Sequence, residues 1–190
     1  MVRRLRTPGS GRFDPDNRVS AEHNGTMTIN ELFADFAQRP IDAAKGLPTL
    51  TPEELNAHPG SHPNSVAWLL WHIGREVDVQ LSDLTGNPQV WEHYRDRFDL
   101  GKIGDTVGYG HTPGQAAEIV VNDQGLLVDY LSAALRALID YANGLSADDF
   151  DVVIDDSWNP PVTRGVRLVS IVDDAAQHIG QAAYAAGQLH

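Results

Sequence analysis

Val166-Arg167-Leu168-Val169-Ser170-Ile171-Val172-Asp173-Asp174-Ala175-Ala176-Gln177-His178-Ile179-Gly180-Gln181-Ala182-Ala183-Tyr184 decides how this chain is read. Leu168, Val172, Ile179 and, just beyond the stretch, Ala186 recur at a helical period, so the segment from about Val166 to Ala186 reads as one long amphipathic helix, stopped by Gly187. At about 100° per residue, Asp174, His178 and Gln181 fall on one narrow stripe. That stripe lies roughly 80–120° to one side of the apolar line, on the flank where helices packed together can hold polar groups facing a neighbour. Ala175, Ala182 and Ala185 surround it with small side chains that leave space for an ion or ligand.

Three more helices follow from the same kind of pattern. The first starts at Thr28, where Thr28 and Glu31 suit a capping box, and runs through Ile29, Leu32, Phe33, Phe36 and Ala37. Pro40 is expected to kink or end it, with Ile41 to Lys45 as a continuation up to Gly46. The second runs from about Asn64 to Thr85, capped by Asn64 or Ser65, with a stripe of Val66, Leu69, Leu70, Ile73, Val77, Leu81 and Leu84. The third begins at Thr112, breaks between Asn122 and Gly125, and reaches Ala142. Thr51 to Glu54 suits a single turn, Pro88 to Arg97 a short helix, and Val152-Val153-Ile154 one strand of a small hairpin. Four long helices with scarcely any strand signal predict an all-α four-helix bundle with long connecting loops.

The 190 residues suit one domain, residues 27–190, preceded by a mobile extension over residues 1–26. That extension carries five Arg against three acids, and Met27 is an alternative start of translation. The net charge of −12 makes nucleic acid and anionic membranes poor partners. No apolar run approaches the roughly 18 residues of a membrane span, and no apolar segment follows Arg3-Arg4, so a cytoplasmic protein is expected. The absence of cysteine excludes disulfides, Cys-ligated metals and a Cys nucleophile, so any thiol chemistry needs a thiol from outside. Gly108-Tyr109-Gly110 follows no strand and does not suit a dinucleotide loop. Trp68, Trp71, Trp91 and Trp158 read as core and loop anchors.

The second helix offers His72 at a comparable flank position, with Trp68 one turn before it and Glu76 one turn after. His72, Asp174 and His178 from two facing helices would give two imidazole nitrogens and a carboxylate oxygen, a donor set suited to zinc, nickel or ferrous iron with coordination positions left open. Spacing alone favours a hydrogen-bonded network without metal, since Asp-x-x-x-His pairs are common on helices. His58 and His62 repeat the i, i+4 spacing but stand between prolines, and His93 and His111 sit outside the long helices.

Val166 to Tyr184 resembles the last helix of the DinB-like superfamily, in particular the branch containing mycothiol-dependent maleylpyruvate isomerase. Trp68-Leu69-Leu70-Trp71-His72-Ile73-Gly74 is similar to the family's second helix, which carries its first metal-ligand histidine. The resemblance covers about residues 28–187. It implies a divalent metal, zinc before nickel or iron, held by His72, Asp174 and His178. Asp174 stands where the superfamily usually has His or Glu, and Gln181 matches a polar residue beyond the last ligand. It further implies a transferase or isomerase that uses a low-molecular-weight thiol such as mycothiol on a small electrophile. Independently of the resemblance, Arg164 and Arg167, near the start of the last helix, are the candidates for steadying an anionic substrate. The two Lys against twelve Arg agree with a high-GC, actinobacterial source. The alternative is a non-catalytic metal- or ligand-binding bundle serving stress protection. A homodimer fits either reading.

Overall fold

The computed structural model describes residues 26–189, so nearly all of the expected extension lies outside the described residues. Its elements in chain order are α1 (Ile29–Lys45), α2 (Pro52–Leu55), a 3-10 turn (Pro59–Ser61), α3 (Val66–Thr85), a second 3-10 turn (Val90–His93), α4 (Arg95–Phe98), α5 (Gly101–Gly104), α6 (Pro113–Ala117), α7 (Gln124–Asn143), α8 (Ala147–Phe150), β1 (Val153–Asp155), β2 (Val162–Thr163) and α9 (Arg164–Gly187). The class is all-α, and β1 with β2 form a small antiparallel hairpin in the position expected for one.

Side chains at the helix starts explain most of these boundaries. Thr28 and Glu31 form the capping box, with Thr28 N–H donating to Glu31 Oε2 at 2.8 Å. Ser65, Asp123 and Thr163 accept the first free amides of α3, α7 and α9 in the same way. Pro40 does not end α1. It lies buried inside the helix, which continues to Lys45. The ring's loss of one backbone bond is set against its packing in the core.

The third long helix is shorter than its sequence pattern suggests. α6 stops at Ala117, and α7 starts only at Gln124. Between them Ile119 and Val121 are both buried, the two-residue spacing of an extended segment. The Asn56 side chain holds this segment, accepting from Val121 N–H at 3.1 Å and donating to the Val121 carbonyl at 3.0 Å.

α3 packs on α7 and α9, and α1 packs on the same two helices from the other side. Leu70, Trp71, Ile73 and Val77 from α3 meet Leu127, Leu131 and Leu135 from α7 and Leu168, Val172 and Ala175 from α9, all with no exposed surface. Trp68, Trp71 and Trp91 are buried as expected, but Trp158 is 66% exposed at the hairpin, where its side chain hydrogen-bonds Asp155.

A buried polar network ties the long α3–α6 connection to the core. Asp78 accepts from the amides of Val90 and Trp91 and from the Tyr130 hydroxyl, at 2.7–3.0 Å. Arg75, 2% exposed, donates to the carbonyls of Thr106 and Asp105 at 3.0 and 3.1 Å and to Gln89 Oε1 at 2.9 Å. Residues 105–108 are thereby fixed against α3.

Candidate metal centre

α3 and α9 bring His72, Asp174 and His178 together: one donor atom from each lies within 4.8 Å of the others. Among the described residues this is the one such group of three. The two imidazole rings meet edge to face, 4.6 Å between centroids at 68°. Trp68 stacks on His72 with 4.7 Å between centroids at 18°.

Hydrogen bonds settle where the imidazole protons sit. His72 Nδ1 donates to the Val107 carbonyl, which leaves its lone pair on Nε2. His178 Nδ1 donates to the Asp174 backbone carbonyl at 2.9 Å, which leaves its Nε2 free as well. Burial holds His72 below the ordinary imidazole range, although the Val107 carbonyl opposes this, so the ring is kept neutral. Burial raises the Asp174 carboxyl, but the adjoining His178 and His72 outweigh it, and the group stands below the usual carboxylate range. The Asp174 carboxylate in turn holds His178 above the ordinary imidazole range against the pull of burial.

Asp174 Oδ2 is buried. His178 Nδ1 lies 3.3 Å from it, close enough for its proton to be shared between this oxygen and the Asp174 backbone carbonyl at 2.9 Å. His72 Nε2 lies 3.9 Å away and faces it with a lone pair. Two acceptor atoms thus face one another between α3 and α9, an arrangement that a bridging cation would stabilise. This donor chemistry fits zinc, nickel or ferrous iron.

The other residues singled out in the sequence are not among the three donors. Gln181 is exposed, one turn beyond His178. Arg167 is half-buried, two turns before Asp174, and its charge acts on Glu76. Glu76 Oε1 accepts from Gln80, while Oε2 is buried without a partner. Burial first, and then the Asp174 charge, push the Glu76 carboxyl up to about 8. His58 donates to the carbonyl of His62 within their own loop, away from the trio.

Sequence reasoning passed over His111, which packs on Trp71 with 5.9 Å between centroids. Its Nδ1 accepts from Trp68 Nε1 at 3.3 Å, its Nε2 donates to Thr106 Oγ1 at 2.9 Å, and that hydroxyl donates to the Ile103 carbonyl at 2.7 Å. Gly108 was also missed. A Cβ there would stand 3.0 Å from His72 Nδ1 and 2.9 Å from Trp68 Cζ2, so only a glycine lets the loop close over the histidine. The one signal in the sequence was the Gly-x-Gly punctuation, which marks a loop without saying what it folds against.

The chain is similar to a conserved protein from Enterococcus faecalis, whose crystal structure matches with a TM-score of 0.78 and 37% identity over 86% of this chain and 98% of that one. Comparison with curated proteins returns no match. Among the described residues no helix is long and apolar enough to cross a membrane. Residues 35–182 match the DinB superfamily, and the chain belongs to it.

Proposed function

We propose that His72, Asp174 and His178 hold a divalent metal ion, zinc before nickel or iron, on a DinB-like four-helix bundle. The observation that carries this reading is the pair of facing acceptors, Asp174 Oδ2 and His72 Nε2. A divalent cation at such a site lowers the pKa of a thiol or water that approaches it. The chain's own residues do the positioning. Val107 fixes the tautomer of His72, Trp68 fixes its plane, and the backbone of Asp174 orients His178.

With no cysteine in the chain, any thiol chemistry here uses a thiol supplied from outside. We read it as a transferase or isomerase that uses a low-molecular-weight thiol, mycothiol-like, against a small electrophile. The thiol gives up its proton, the thiolate sulfur bonds to an unsaturated carbon as that carbon's π bond breaks, and the resulting carbanion either takes up a proton to give the conjugate or, after rotation, expels the thiolate to give the isomer. Arg167 and Gln181 flank the trio on α9 and are the residues proposed to steady the substrate.

Metal quantification on protein purified without a chelating column tests the first part. About one equivalent of zinc, nickel or iron is expected in the native protein, and less than a tenth in His72→Ala and His178→Ala. Equal metal in native protein and both variants overturns the assignment. A coupled assay of thiol consumption with a small electrophile then tests the catalytic reading, and metal-loaded protein that consumes no thiol refutes it.

A further inference from the structure

His72 is held by two contacts of different kinds. The Val107 carbonyl takes the Nδ1 proton, which fixes one ring atom, and the Trp68 indole lies along the ring, which fixes its plane. The terminal torsion of a histidine is broad. The direction of Nε2 toward Asp174 therefore depends on how firmly the indole is placed.

Trp68 is buried, and its Nε1–H, which can only donate, reaches His111 Nδ1 at 3.3 Å. That bond requires His111 to be neutral and to carry its proton on Nε2. The other end of the ring meets the same requirement independently. The Thr106 hydroxyl gives its proton to the Ile103 carbonyl at 2.7 Å and so accepts from His111 Nε2–H at 2.9 Å. Burial also holds His111 below the ordinary imidazole range, against the charge of Glu118. Behind it Trp71, which has no exposed surface, stacks on the His111 ring at 21°. The Thr106 carbonyl accepts from Arg75 Nε at 3.0 Å, so this anchor is itself fastened to α3. Both ring nitrogens of His111 are engaged, and it stands outside the group of three donors.

We infer that His111 is a positioning residue: through the Trp68 indole it holds the plane of the His72 ring, and with it the aim of His72 Nε2. What that aim serves rests on the proposed metal site. The chain of contacts from Ile103 to His72 does not.

Two substitutions separate bonding from bulk. His111→Phe keeps a ring against Trp71 and offers Trp68 no acceptor. His111→Asn gives up the ring and places Oδ1 where Nδ1 stood. NMR of the metal-free full chain reads the result, because the indole face shifts the ring-proton resonances of His72, and a bonded indole proton exchanges slowly with water. In His111→Phe the His72 resonances are expected to move and the Trp68 indole proton to exchange faster. In His111→Asn both are expected to stay close to native. Thr106→Val, at an exposed position, removes the acceptor of Nε2–H and is expected to move the His72 resonances in the same direction as His111→Phe. Zinc affinity is expected to fall about tenfold in His111→Phe and to recover in His111→Asn. In a Trp68→Phe background, which lacks the N–H, His111→Phe is expected to cost no further affinity. His72 resonances unmoved in both His111→Phe and Thr106→Val, no recovery in His111→Asn, or affinity losses that add in the double variant overturn the inference. Native protein that takes up no zinc would instead refute the metal site, and the His72 resonances would still decide the role of His111.

Discussion

Replacing Gly108 by Ala tests whether the loop over His72 sets the site. Gly108 has φ +92°, and its Cβ would stand 2.9 Å from Trp68 Cζ2, 3.0 Å from Trp71 Cζ3 and 3.0 Å from His72 Nδ1. Trp71 has no exposed surface and Trp68 is 5% exposed, so neither ring can swing aside. The positive φ costs an alanine about 1–2 kcal/mol, and relief of the overlaps about 1–3 kcal/mol. Together these predict a loss of ~2–5 kcal/mol, which for a domain of this size lowers the melting temperature by roughly 5–15 °C. The loop can relieve the overlap only by retreating, and that withdraws the Val107 carbonyl from His72. Loss of such a partner typically weakens metal affinity by about 10–100-fold. Gly110→Ala is the control: φ is +73°, but nothing lies within 4 Å of the added carbon. It is expected to lose only about 1–2 kcal/mol and to leave metal affinity unchanged. Thermal melts and competitive zinc titrations on both variants decide the matter. Identical behaviour of the two alanines would refute the idea that Gly108 gives the loop access to His72.

Arg75→Met removes the donor to Thr106, Asp105 and Gln89 and leaves Asp78 buried without a neighbouring cation. A loss of about 3–5 kcal/mol in urea unfolding is expected, partly recovered when Asp78→Asn is added. Gly74→Ala places a Cβ 2.5 Å from two ring atoms of Tyr130, so despite a helix-propensity gain of about 1 kcal/mol the variant should melt below the native protein. Zinc affinity should climb with pH until His178 is neutral, above the ordinary imidazole range, because the ligand must shed the proton that Asp174 helps it keep; a plateau reached below that range contradicts the assigned pair. Without metal the sign is opposite. His178 contributes stability below its unfolded-state value and loses it as pH rises through its raised folded value.

The trio was legible because helical periodicity is strong evidence about faces. Asp174 and His178 share a stripe by spacing alone, and His72 occupies a matching flank of its own helix. Capping residues placed the starts of α1 and α3 to within one or two residues for the same local reason, whereas the start of α9 was read two residues late from its apolar period, without its cap Thr163. The span from Ile119 to Val121 was misread because apolar residues two apart inside a helical stretch look like a weak stretch of helix. Only Asn56, some sixty residues earlier, holds that segment extended. His111, Val107 and Gly108 were illegible for a similar reason. Their roles come from Arg75 fastening a long, aperiodic loop to α3, and no pattern within the loop announces that contact.

Glu76 gives an independent view of what the site is for. Its Oε2 is buried without a partner, on the helix that carries His72, and its charge opposes that of Asp174. A carboxyl that keeps its proton until about pH 8 instead of the ordinary 4.5 makes the folded chain bind more protons than the unfolded one between those values. Stability from that group is therefore complete below the lower value, falls through the interval and is gone above the upper one. Between pH 5 and pH 8 the loss amounts to ~3 kcal/mol. Glu76→Gln keeps the acceptor for Gln80 and removes the titration. Urea unfolding of metal-free protein should show the variant gaining on the native chain by ~2–3 kcal/mol as pH rises from 5 to 8. Added zinc should shrink that gain, because a dication nearby favours the ionised carboxylate. A constant difference across the pH range would mean that Glu76 is ionised and solvated in the folded protein. A gain that appears without metal and contracts with it would mean that the fold keeps a destabilising carboxyl where a cation makes use of it, as expected when a site is retained for binding at the expense of stability.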